Sequence, residues 1–120
     1  FRDVKDAGAF ALALRDAVRS ADWHKYGLPS GLSIRIGLHA GPVFECHDPV
    51  LKKRTYNGFN VNRAARIEPI TEEGQVFVSQ AFAALAAVVP KKNFQCDYAG
   101  TRQLAKKAGA IPVFVLRETR

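Results

Sequence analysis

The sequence predicts an α+β domain, an antiparallel-rich sheet with helices packed on it, and two observations carry that expectation. Segments with apolar residues at spacings of three and four alternate along the chain with short β-branched and aromatic runs. The links between them are of two kinds: a Gly-Pro turn suited to a hairpin, and helical stretches suited to crossovers. At 120 residues the chain has room for one core, so a single domain over 1–120 is expected.

From Val4 to about Asp22, the residues Val4, Ala7, Phe10, Ala11, Leu14 and Val18 recur at helical spacing with charges between them, which describes an amphipathic helix laid on a core. Gly27, Pro29 and Gly31 then break the chain. Leu32 to Leu38 alternates as a strand, and Val43-Phe44-Glu45-Cys46 reads as a second strand, paired with the first as a hairpin across Gly41-Pro42. His39 stands at the strand end, either as a local hydrogen-bonder or as a phosphate or base contact. His47 to Lys53 reads as a polar, basic loop, and Arg54-Thr55-Tyr56 leads into a short helix that Glu68-Pro69 stops. Val61, Ala65 and Ile67 are expected to form its buried side.

Gln75-Val76-Phe77-Val78 has the composition of a buried strand. Ser79 can cap a helix over Gln80 to Ala87 with Phe82, Leu85 and Ala86 as its apolar face. Phe94 to Tyr98 alternates as a strand, Gly100 turns it, and Ile111 to Leu116 makes the last strand. The chain opens on Phe1 at the approach to a helix, so a preceding strand is expected outside it and the domain is expected to be truncated at its N-terminus.

A formal charge of +7, from 18 Lys and Arg against 11 Asp and Glu, favours anionic partners. The cations are dispersed and not interleaved with aromatic residues, so a phosphorylated small molecule is expected rather than nucleic acid. No apolar run approaches the roughly 18 residues of a membrane span. No membrane contact by this segment is therefore expected, and the expected location is cytoplasmic, a parent protein being free to carry an anchor upstream. Cys46 and Cys96 lie in strand-like runs at no metal-ligand spacing and read as reduced core residues.

One pair stands out. Four residues of helix turn about 400°, so Asn62 and Arg66 lie about 40° apart on one face, a turn above one another. Spacing alone leaves two readings: two groups gripping one ligand, or a helix-start residue and a solvated cation.

With these residues in place, the chain resembles the catalytic domain of class III nucleotidyl cyclases, bacterial members in particular. Ile34-Arg35-Ile36-Gly37-Leu38-His39-Ala40-Gly41-Pro42-Val43 is similar to the family's IRIGLHxGxV, and Gly58 to Glu68 to its GxxVNxAxRxE. Glu73 to Ser79 and Leu104 to Gly109 continue the match in the family's order. The resemblance implies a ferredoxin-like βαββαβ fold without its first strands, and conversion of ATP to 3′,5′-cyclic AMP and pyrophosphate in signal transduction. It assigns catalysis to Asn62, which would orient the ribose, and to Arg66, which would stabilise charge on the α-phosphate. Substrate binding falls to Thr55 at the base-recognition position and to Lys106, with Lys107 its neighbour, at the β/γ-phosphates. It implies Mg²⁺ or Mn²⁺ held by aspartates that precede this chain; Asp3 and Asp6 do not match them, so no metal ligand is assigned here. It also implies a head-to-tail homodimer with shared sites. On these grounds the fragment alone is expected to be inactive. The alternative is a cyclase-like module that has lost catalysis and serves nucleotide binding or dimerisation.

Overall fold

A computed structural model describes the chain apart from residues 2, 30, 42–43, 49–52, 58, 91, 105–108 and 120, with side chains also left out at 44–48, 53–57 and 59–62. Helix α1 (Val4–Ser20) is followed by strands β1 (Ile36–Leu38), β2 (Phe44–Asp48) and β3 (Lys53–Asn57), then helix α2 (Phe59–Ile67). Strand β4 (Val76–Ser79), helix α3 (Gln80–Ala87) and strands β5 (Phe94–Gln103) and β6 (Ala110–Glu118) complete it. The α+β class expected from the sequence is the one found. A four-stranded mixed sheet runs in the order β1-β4-β6-β5, and β2 and β3 form a separate antiparallel pair.

β4 organises the sheet. Val76, Phe77 and Val78 are each at most 1% exposed, because alternate residues feed two cores on opposite faces. On one face Val76 and Val78 pack with Val4, Ala7, Ala11 and Leu12 of α1, Phe82 and Ala86 of α3, Phe94 and Leu116. On the other face Phe77 packs with Ile67, Val113 and Val115.

That double burial explains a departure from the sequence reading. β1 does not pair with the strand after Gly41; it pairs in parallel with β4, Ile36 opposite Val76 and Leu38 opposite Val78. A strand buried on both faces needs neighbours at both edges, and β1 and β6 supply them. The parallel pairing requires a long crossover, which β2, β3 and α2 provide. β2 pairs instead with β3, Phe44 opposite Asn57 through Asp48 opposite Lys53. Of the segment read as a basic loop and lead-in, His47 and Asp48 belong to β2 and Lys53 to Tyr56 to β3, and residues 49–52 lie outside the described residues. The segment's charges masked the β-favouring Thr55 and Tyr56.

The expected helical faces are found in part, with one apolar residue in each helix turned outward. In α1 the buried set is Val4, Ala7, Gly8, Ala11 and Leu12, while Phe10 is 53% exposed and meets Phe1 with ring centroids 5.3 Å apart. In α3 Phe82 and Ala86 are buried, and Leu85 is 49% exposed. In α2 Ile67 is fully buried, Arg63 and Ala64 are half-buried, and Ala65 is exposed. Positions three and four before Ile67 share its face, so Ala65 is turned outward.

Gly100 bends β5 rather than ending it. Tyr98 opposes Phe114 and Gly100 opposes Val113, leaving Ala99 as an extra residue, and Gly100 has φ +101°. A bulge at a left-handed glycine keeps one ten-residue strand in register on either side.

Cys96 is a free, half-buried thiol, and burial pushes its pKa up to about 11 from 9.0. The folded state therefore holds this proton more tightly than the unfolded chain. Its contribution to stability is present below about pH 9 and is lost as pH rises towards 11. In a Cys46→Ser background, iodoacetamide at pH 8 should label Cys96 only on unfolding, at least about tenfold slower in the native protein. Equal rates with and without urea would contradict this.

Candidate active site

The site is built where α2 comes down on the sheet. β1 and β4 run parallel, and β6 runs against β4. After α2 the chain passes a 3-10 turn over Glu68–Ile70 and reverses at Gly74, whose N–H donates to the Ile34 carbonyl at 3.0 Å. α2 therefore descends against β1. Its N-terminal half, with Asn62, stands towards the outgoing ends of β1 and β4, and Arg66 follows one turn lower.

Four contacts fix the lower end of the helix. Ile67 fills the core on this face, a burial that contributes roughly 1.5–3 kcal/mol. Thr71 Oγ1 donates to the Ile67 carbonyl at 2.8 Å, and Thr71 N–H donates to the Glu68 carbonyl at 3.0 Å. Arg35 pairs with Glu68 at 3.3 Å, both side chains 46% exposed, so the pair adds at most about 1 kcal/mol. Gly37 permits a close approach: a Cβ there would lie 2.7 Å from the Glu68 backbone nitrogen and 2.9 Å from Ile67 Cγ2. Thr71→Val keeps the shape and removes the buried donor, and should cost about 1 kcal/mol in urea unfolding. A loss under about 0.3 kcal/mol would show that the bond adds nothing.

Arg66 is exposed, and among the described residues no acid pairs with it. Glu68, the nearest carboxylate along the helix, is taken by Arg35. Its planar fork of donors is therefore open to solvent.

The other sequence-predicted residues are distributed as follows. Asn62 lies in α2 four residues before Arg66, its side chain outside the described set. Thr55 lies in β3 opposite Cys46, on the strand that feeds α2 directly. Lys106 and Lys107 lie outside the described residues, in the link between β5 and β6. That link is bracketed by buried Leu104, whose N–H donates to the Gly109 carbonyl at 2.8 Å. Because β6 opposes β4, Gly109 at the entry to β6 falls at the same end of the sheet as the start of α2. The topology thus brings Leu104, Gly109 and the start of α2 to one end. Thr55 is on the strand that precedes α2.

At that end sequence reasoning left one contact unspecified: His39 Nδ1 lies 2.7 Å from Ser79 Oγ. The alternation of 37 with 39 and of 77 with 79 was the available signal. A shallow cleft among Ser33, Arg35, Thr71 and Glu73 opens at the opposite end and meets none of the candidate groups.

Among the described residues no three His, Cys, Asp or Glu side chains come together to hold a metal. No helix of the described residues is long and apolar enough to cross a membrane.

Comparison with known proteins bears on the family and the fold. The family described as the adenylate and guanylate cyclase catalytic domain matches residues 1–118. An adenylate cyclase of Podospora anserina is 43% identical over 54 residues, which cover 45% of this chain and 2% of that protein. The crystal structure of the adenylyl cyclase CyaB from P. aeruginosa superposes with a TM-score of 0.79 at 21% identity, over 98% of this chain and 60% of that one. The guanylate cyclase domain of RhGC from Catenaria anguillulae, in complex with GTP, superposes with a TM-score of 0.74 at 21% identity, over 98% and 60% of the two chains. The chain therefore spans a small part of that curated relative and less than two thirds of either solved structure. A match over nearly its whole length, on a fold the two structures share, places this chain in the adenylate and guanylate cyclase catalytic domain family.

Proposed function

We propose that the chain is the C-terminal part of an adenylate cyclase catalytic domain and carries the groups that act on the α-phosphate of ATP. The observation that carries this reading is Arg66, an exposed guanidinium unpaired among the described residues, one helical turn from Asn62 on a helix fixed at its lower end. In the reaction the ribose 3′-oxygen attacks the α-phosphorus. The new O3′–P bond forms as the bond to the β-phosphate bridging oxygen breaks, pyrophosphate leaves, and the 3′-hydroxyl proton passes to solvent. Asn62 holds the ribose so that the 3′-oxygen is in line, and Arg66 donates to the non-bridging oxygens where charge builds. Lys106, with Lys107 beside it, meets the β- and γ-phosphates of the departing pyrophosphate.

Thr55 is the base-reading group, and its hydroxyl can donate or accept. ATP is favoured because Thr55 replaces the aspartate at that position as some bacterial adenylate cyclases do. Mg²⁺ or Mn²⁺ would take its ligands outside this chain, and no step is assigned to it here. A head-to-tail homodimer, with the missing groups supplied across the interface, completes the reading.

The test is product formation by the full-length protein incubated with ATP or GTP and Mg²⁺ or Mn²⁺, followed by chromatography. Cyclic AMP from ATP in excess over cyclic GMP from GTP is expected. Cyclic GMP alone would overturn the base assignment, and neither product would overturn the enzyme.

A further inference from the structure

We propose that His39 is a positioning residue of the α2 site, acting through Ser79 to lock together the outgoing ends of β1 and β4. The inference rests on the activity proposed above and adds a residue to it. His39 Nδ1 lies 2.7 Å from Ser79 Oγ, and Ser79 is 5% exposed. The same oxygen accepts the Phe82 N–H at 3.2 Å and so caps α3. A hydroxyl has one proton and two lone pairs. One lone pair goes to Phe82, which leaves the hydroxyl its proton and a second lone pair; in the proposed clamp the proton is given to His39 Nδ1 and the ring proton is on Nε2.

The location gives the bond its consequence. β1 has three residues and three partner pairs with β4, a short ladder for a strand that sets the seat of a helix. A slip of one residue would carry Gly37 away from Ile67 and put Leu38 in its place. His39 and Ser79 continue the alternation of Gly37 and Phe77, so the clamp lies one pleat beyond the two residues on which the end of α2 rests. It joins three element ends at once: those of β1 and β4, and the first turn of α3. Loosening it lets β1 shift beneath α2, and a displacement of about 1 Å at the reacting groups can cost on the order of a hundredfold in rate.

The test compares His39→Phe, Ser79→Ala, the double variant and His39→Asn in the full-length protein. His39→Phe and Ser79→Ala should each lower kcat about tenfold or more with KM changed less than about threefold, and the double variant should match the single ones. His39→Asn, whose carboxamide oxygen can take the place of Nδ1, should recover kcat to within about threefold. In histidine-labelled protein the ¹⁵N shifts should show Nδ1 unprotonated, and amide exchange at Phe82 should quicken in His39→Phe. If His39→Phe does not fold, Ser79→Ala and the tautomer carry the test. Unchanged kcat in folded variants, additive losses, no recovery with asparagine, or a proton on Nδ1 would each overturn the proposal. A wild-type protein that makes no cyclic nucleotide overturns the activity instead, and the clamp is then judged on the tautomer and Phe82 exchange.

Discussion

Arg66→Ala should lower cyclic AMP formation by the full-length protein by about 10²- to 10³-fold in kcat, with KM for ATP changed far less. The side chain is exposed and unpaired among the described residues, so its removal leaves no buried charge and no cavity. Stability should change by less than about 0.5 kcal/mol. That separation makes the variant informative: a rate loss without unfolding assigns the guanidinium to the transition state. Arg66→Lys should recover only part of the loss, because one ammonium cannot reproduce two coplanar donors. Asn62→Ala should lose rate through a different route, by freeing the ribose. Full activity in Arg66→Ala would end the phosphate assignment.

The order of elements was legible because hydrophobic period reports burial, and most segments here bury one face. α1 and α3 were placed nearly to the residue. β3 was missed because it lies in the separate two-stranded pair, where Lys53 and Arg54 carry no apolar alternation to report. The partner of β1 was missed because pairing is decided by β4, forty residues away and buried on both faces. No local pattern around Gly41 encodes that. Faces within a helix proved harder than the helix itself: Ala65 and Leu85 are apolar yet exposed, since small or single apolar residues do not fix a stripe. For the site, the four-residue spacing of Asn62 and Arg66 was readable from helix geometry. The Ser79 partner of His39 was not, because it comes from the far end of another strand.

Gly37 shows how the motif around β1 bears on that site, and Gly37→Ala should be the second large effect. The added Cβ would stand 2.7 Å from the Glu68 backbone nitrogen and 3.0 Å from the Ile67 carbonyl carbon, distances that only movement of α2 can relieve. Overpacking of this kind costs about 1–3 kcal/mol. Gly8→Ala provides the control. Its Cβ would stand 2.6 Å from three ring atoms of Phe94, which is 1% exposed, on the face of the sheet opposite α2. The strain there is of similar size, partly offset by about 1 kcal/mol of helix propensity. Both variants should therefore unfold at lower urea. They should part in kinetics: Gly37→Ala should lower kcat of the folded enzyme about tenfold or more, because the end of α2 that carries Arg66 is lifted, while Gly8→Ala should keep it within about twofold. Equal kcat in the two variants would mean that the seat of α2 on β1 does not set the position of Arg66.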